Sequence, residues 1–122
     1  MKREIITIDG YGRITIPSDT SNIRMNEMEL AELFGVIAPT LRAAIRAVYK
    51  SGVLKPYETE KRIKLSNDYY ANAYALPMVV ALAFRINSPY AENIRNALLE
   101  RLCLRKENQF LWTFIRSSVY EC

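Results

Sequence analysis

The chain contains no histidine. That excludes a Ser-His-Asp triad, a Cys-His pair and any histidine-bearing metal site. No phosphate-cradling GxxxxGKS or GxxxxGKT run occurs either. Its two cysteines, Cys103 and Cys122, lack metal-ligand spacing. They have the numbers for one bridge, but Cys122 is the last residue, and two thiols in a reducing compartment are the expectation. The first residues, MKREIITIDGYG, carry no apolar run of the signal-peptide kind. The longest apolar run, Ala73 to Phe84, is about a dozen residues and includes Pro77. It is too short to cross a bilayer and is expected to be core. These absences point away from an enzyme, a resident cofactor and a membrane partner, and towards the cytoplasm.

What remains is an ordinary globular composition: 122 residues, 50% hydrophobic and 25% charged. That suits one domain over 1–122 with a real core. The net charge of +4 is concentrated. Between Val36 and Lys64 stand seven bases (Arg42, Arg46, Lys50, Lys55, Lys61, Arg62, Lys64) against Glu58 and Glu60 alone, so the rest of the chain is nearly neutral. A local excess of this kind is a candidate footprint for a polyanion.

In chain order, β-branched runs at Ile5–Ile8 and Arg13–Ile16 flank Asp9-Gly10-Tyr11-Gly12. This predicts a β-hairpin over 4–17, closed by Pro17. The bland role for it is a lid on the helices. The same stretch, Asp9-x-x-Gly12-Arg13-Ile14-x-Ile16-Pro17, is similar to half of the AbrB-type swapped-hairpin DNA-binding fold. A polar loop follows to Arg24.

Residues 26–54 read as a helix-turn-helix. Asn26 and Glu29 have the spacing of a capping box. Leu30, Ala31 and Phe34 form the inner face, and Gly35 suits a left-handed turn. Val36 packs the corner, and Pro39 fits the first turn of a second helix. Leu41, Ala44, Ile45 and Val48 give that helix its inner stripe, and Gly52 ends it. An ordinary helical hairpin shares this pattern. In the DNA-binding reading the second helix lies in the major groove, with Thr40 as its first hydroxyl. Arg42, Arg46 and Lys50, at i, i+4 and i+8, line one exposed face. Arg42 and Arg46 are the candidates for base contact. The helix start, Ile37-Ala38-Pro39, is apolar, which favours backbone gripping over base reading, or a protein interface at Ile37.

Residues 60–76 read as a second hairpin, with Lys61, Arg62 and Lys64 on its first arm and Ser66-Asn67-Asp68 in its turn. After a helix-turn-helix, such a hairpin is a wing. It would bring positive charge to phosphate, with Tyr69 and Tyr70 beside it. Pro77 opens a buried helix through Phe84, and Ser88-Pro89 starts another with Ile94, Leu98 and Leu102 facing inward. Arg85, Asn87, Ser88 and Arg95 gather at that junction, either to satisfy backbone groups or as a small anion site. Beyond it Phe110, Leu111, Trp112, Phe114 and Ile115 are too apolar for a free surface helix. Burying each is worth about 1.5–3 kcal/mol, so a homodimer interface is expected within 77–122.

LAELFGV at 30–36, Gly52-Val-Leu, and the series Tyr74, Leu76, Met78, Arg85, Asn87, Ser88, Ala91 and Arg95 resemble the virulence-associated RhuM family. More distantly, the later half is similar to phage antirepressor domains of the BRO type. The resemblance spans most of 4–102 and implies a DNA-binding protein without agreed catalytic residues. The chain departs from it at Ile37-Ala38-Pro39, where polar residues are usual. The expectation is an α+β fold: N-terminal β-hairpin, winged helix-turn-helix and helical C-terminal half. Its expected partner is double-stranded DNA, in a bacterial or mobile-element regulator or accessory protein. The alternative is a protein-interaction module that uses the same helix surface and the aromatic tail.

Overall fold

The computed structural model describes residues 3–65 and 67–103. The residues expected at a dimer interface, Phe110, Leu111, Trp112, Phe114 and Ile115, lie outside them. The described residues form an α+β fold with two small antiparallel sheets and five helices.

The first sheet is the N-terminal hairpin. Strand β1 (Thr7–Ile8) pairs with β2 (Ile14–Thr15), Thr7 opposite Thr15 and Ile8 opposite Ile14. Asp9 organises the turn: its Oδ1 accepts from the backbone N–H of Tyr11 (2.8 Å) and of Arg13 (2.9 Å). These bonds, with Arg13 foremost, hold the Asp9 carboxyl below the usual aspartate range. Gly12 takes φ +82°, and a Cβ there would meet Asn93 Nδ2 at 2.8 Å, so the turn lies close against the last helix.

The second sheet has the order β3-β5-β4, with β3 at Met25–Asn26, β4 at Glu60–Lys64 and β5 at Tyr70–Tyr74. β4 and β5 are the hairpin expected over 60–76. β3 is new: the loop was expected to end at Arg24, Met25 carried no expectation, and Asn26 was expected only as a cap. Met25 sits opposite Tyr74 and Asn26 opposite Ala73. A two-residue strand is too short to show alternation, so only its distant partner creates it.

Asn26 also caps helix α1 (Glu27–Phe34). Its Oδ1 accepts from the Glu29 N–H at 2.8 Å, and its own N–H donates to Glu29 Oε1 at 2.9 Å, the reciprocal box expected there. Gly35 ends the helix at φ +65°. A Cβ on it would stand 2.7 Å from the Tyr90 ring. The inner face is Leu30, Leu33 and Phe34, whereas Ala31 is only half-buried. Helix α2 (Ala38–Ser51) buries Leu41, Ile45 and Val48 and stops at Gly52, φ +81°. A single helical turn, α3 (Pro56–Thr59), then leads into β4, in a stretch for which the sequence had suggested no element. Its proline supplies the start, and the Tyr49 hydroxyl meets Thr59 Oγ1 at 2.9 Å, fixing the turn to α2.

Helix α4 (Leu76–Ala83) is the central helix, with Met78, Val79, Leu82 and Ala83 buried. Helix α5 (Pro89–Cys103) packs Ala91 and Ile94 into the same core. Two expected core residues face out: Phe84, 57% exposed at the α4 terminus, and Leu102, 60% exposed in the last described turn of α5. Both border an open apolar groove with Ile16, Leu76, Val80 and Leu98. At the α4–α5 junction, Ser88 Oγ accepts from the Ala91 N–H (3.1 Å) and donates to the Phe34 carbonyl at the end of α1 (2.8 Å). Arg95 donates to the carbonyls of Ala83 (2.7 Å) and Ile86 (3.2 Å). These two side chains satisfy helix ends, the bland role weighed for them. Among the described residues no helix is long and apolar enough to cross a membrane.

Candidate nucleic-acid interface

The amphipathic pattern of α2 fixes what it shows to solvent. With Leu41, Ile45 and Val48 inward, Thr40, Arg42, Arg46 and Lys50 are all exposed. They are not equivalent. At 100° per residue, Arg46 and Lys50 lie nearly opposite the buried stripe, while Arg42 and Thr40 flank it on opposite sides. Arg42 reaches back to α1, where its Nε contacts Glu27 Oε1 at 3.2 Å and Oε2 at 3.3 Å. Among the described residues Arg46 and Lys50 make no ion pair. The pair at Arg42 is half-exposed, and such pairs contribute about 0–1 kcal/mol, so a phosphate can displace Glu27 at small cost.

The start of α2 matches its apolar sequence. Ile37 occupies the cap position without a side-chain hydrogen bond and is 69% exposed. Met28 on α1 is exposed as well.

The hairpin splits its cations. Side chains alternate along a strand, so Arg62 and Lys64 share one face of β4 with Tyr70, which pairs with Lys64. The Arg62 guanidinium lies 5.8 Å from the Tyr70 ring centroid. Lys64 Nζ is 3.3 Å from Asp68 Oδ1, a second weak surface pair. Lys61 points to the other face, beside residues that the sequence reading leaves in a polar loop. There Arg3, Ser21, Asn22 and Arg24 join Lys61 and Arg62 around a cleft. The charges of Arg3 and Arg24 were visible in the sequence. Their meeting with Lys61 was not, because it depends on Glu4 bridging to Ile23. Tyr69 and Tyr70 are exposed, 69% and 58%.

Burial pushes the Tyr74 phenol up to about 12, with Glu60 and then Glu27 adding to the shift. Burial also pushes Tyr49 well above the ordinary tyrosine range, and its contact with Glu60 reinforces this. These groups stay neutral near pH 7 and act as structure. Among the described residues no cluster of three or more aspartates, glutamates or cysteines is placed to hold a metal ion. The arrangement offers exposed guanidinium and ammonium groups on one helix and one hairpin, which is the chemistry of phosphate contact. No protein family, curated protein or solved structure matches this chain.

Proposed function

We propose that the chain binds double-stranded DNA, as a transcriptional regulator or accessory protein of a bacterial or mobile-element operon. In this reading α1 and α2 are a helix-turn-helix and β4–β5 its wing. The observation that carries it is the outward face of α2, where Arg46 and Lys50 stand exposed and unpaired among the described residues. The sheet order β3-β5-β4 supports it, since a strand before the helix pair that joins the following hairpin is what a winged helix requires. The resemblance to the RhuM family points the same way. Arg46 and Arg42 are the base-contact candidates, Thr40 and Lys50 flank them, and Lys61, Arg62 and Lys64 hold phosphate from the hairpin. A homodimer would present two such surfaces to half-sites one helical turn apart.

The test is binding of labelled random duplex DNA at low and high salt. Each phosphate neutralised steepens the fall of log K with log salt by about 0.9. The expected result is tight binding at low salt that weakens steeply, with Arg42→Ala plus Arg46→Ala losing affinity. No binding at the lowest salt refutes the reading. The exposed Ile37 and Met28 favour a second reading, a protein-interaction surface. That reading predicts capture of a protein partner with little dependence on salt.

A further inference from the structure

Between the N-terminal segment and β4 opens the cleft of about 340 Å³ that Arg3, Ser21, Asn22, Arg24, Lys61 and Arg62 line. Ile63 completes the lining; four of these seven residues are cations, and they differ in what neutralises them. Arg3 is satisfied: its two terminal nitrogens contact Glu29 Oε1 (2.6 Å) and Oε2 (2.9 Å), and Nη1 also donates to the Arg24 carbonyl. It forms a rigid, neutralised wall. Among the described residues Arg24 has no carboxylate partner. Its Nη1 donates to the carbonyls of Ile23 (2.7 Å) and Ser21 (3.4 Å), which hold the guanidinium in place and leave its charge unbalanced. Lys61 makes no hydrogen bond or ion pair among the described residues, and Arg62 has only the Tyr70 ring. Asp19, the carboxylate of the loop before β3, is turned onto Ser21 and Asn22, accepting from the Ser21 N–H and hydroxyl and from the Asn22 amide.

β4 is an edge strand, paired with β5 on one side only. Arg62 and Lys64 lie on one of its faces and Lys61 on the other, so positive charge continues around the free edge into the cleft. A small anion would need two or three converging donors. A line of cations wrapping an edge fits a polyanion. We infer that this cleft is a second phosphate-backbone contact, through which duplex DNA is held on both faces of the β4–β5 hairpin. The inference rests on the DNA-binding reading and adds Arg24 and the cleft side of Lys61 to it.

The experiment uses the full chain and anisotropy of labelled random duplex DNA over a fourfold range of salt. The variants are Lys61→Ala, Arg24→Ala with Lys61→Ala, and Arg85→Ala, an equal charge loss at the exposed α4–α5 junction. The salt slope should become shallower by about 0.9 for the single cleft variant and about 1.8 for the double. Over fourfold salt the wild type then loses roughly 12-fold more affinity than the double variant. Arg85→Ala should leave the slope unchanged. Arg24→Ala removes two backbone contacts, so if the double variant melts early, Arg24→Gln with Lys61→Ala, which keeps a donor for those carbonyls and loses the same charge, carries the test. Wild-type binding in which the Arg24 substitution adds nothing to the slope change of Lys61→Ala overturns the cleft contact and leaves the DNA reading standing. No wild-type binding at the lowest salt overturns both.

Discussion

Replacing Ser88 probes the joint between the helix pair and the helical half. Its hydroxyl serves two helix ends at once, accepting from the Ala91 N–H of α5 and donating to the Phe34 carbonyl of α1. Both groups are left without intrahelical partners by helix geometry. Ser88→Ala removes an N-cap, worth about 1 kcal/mol, and a neutral hydrogen bond worth about as much again. The expected loss is about 2 kcal/mol. For a chain of this size that lowers the melting temperature by about 8 °C. Two further variants separate the roles. Ser88→Thr keeps acceptor and donor and should fall within about 0.5 kcal/mol of wild type. Ser88→Asp keeps the cap but cannot donate, and its carboxylate faces the Phe34 carbonyl, so about half of the loss should remain. Urea unfolding followed by circular dichroism gives all three values. A Ser88→Ala chain as stable as wild type would refute the bridging role. Full recovery in Ser88→Asp would show that the bond to α1 contributes nothing.

Gly35→Ala should destabilise by about 1–2 kcal/mol, because a left-handed φ of +65° strains any side chain and the new Cβ meets the Tyr90 ring. Urea unfolding of Gly35→Ala alone and with Tyr90→Ala separates strain from clash, and a neutral Gly35→Ala would sink both. Alkaline pH should also weaken the fold. The folded Tyr74 phenol titrates at about 12, above the ordinary value of 10.0, so its contribution is complete below pH 10 and is lost as pH rises through 12. Denaturant midpoints measured across that window should fall for wild type and fall less for Tyr74→Phe. Identical declines would rule out this linkage.

The sequence made legible what short-range chemistry decides. The Asn26–Glu29 box, the Asp9 turn and the glycines at 35 and 52 each use a side chain or a backbone preference within four residues of its target. What stayed hidden depends on distant neighbours. Leu33 turns inward because the N-terminal segment Ile5–Ile8 and Met25 lie beside that face of α1. Phe84 faces out because α4 ends one residue earlier. Arg42 looked like a free base reader until Glu27, fifteen residues away, came within 3.2 Å. Lys61 and Arg62 are adjacent in sequence, but strand alternation sends them to opposite faces. Arg3 and Arg24 acquire meaning only beside Lys61.

The pairing of β3 with β5 has a kinetic consequence. It joins positions about 47 residues apart in the chain and encloses α1, α2, α3 and β4 within one loop. Closing a loop of that length costs about 3 kcal/mol of chain entropy by its length term alone, and two residue pairs are a small return for it. The helix pair and the β4–β5 hairpin, whose contacts are local, should therefore form first, with β3 as the clasp that closes last. Pulsed hydrogen exchange during refolding should show the α1 and β4–β5 amides protected before those of the β3–β5 ladder, and simultaneous protection would contradict this order. Because Asn26 is both a clasp residue and the α1 cap, opening the clasp also frays the first turn of the helix pair. The surface proposed to hold DNA is thus mechanically coupled to the last step of folding.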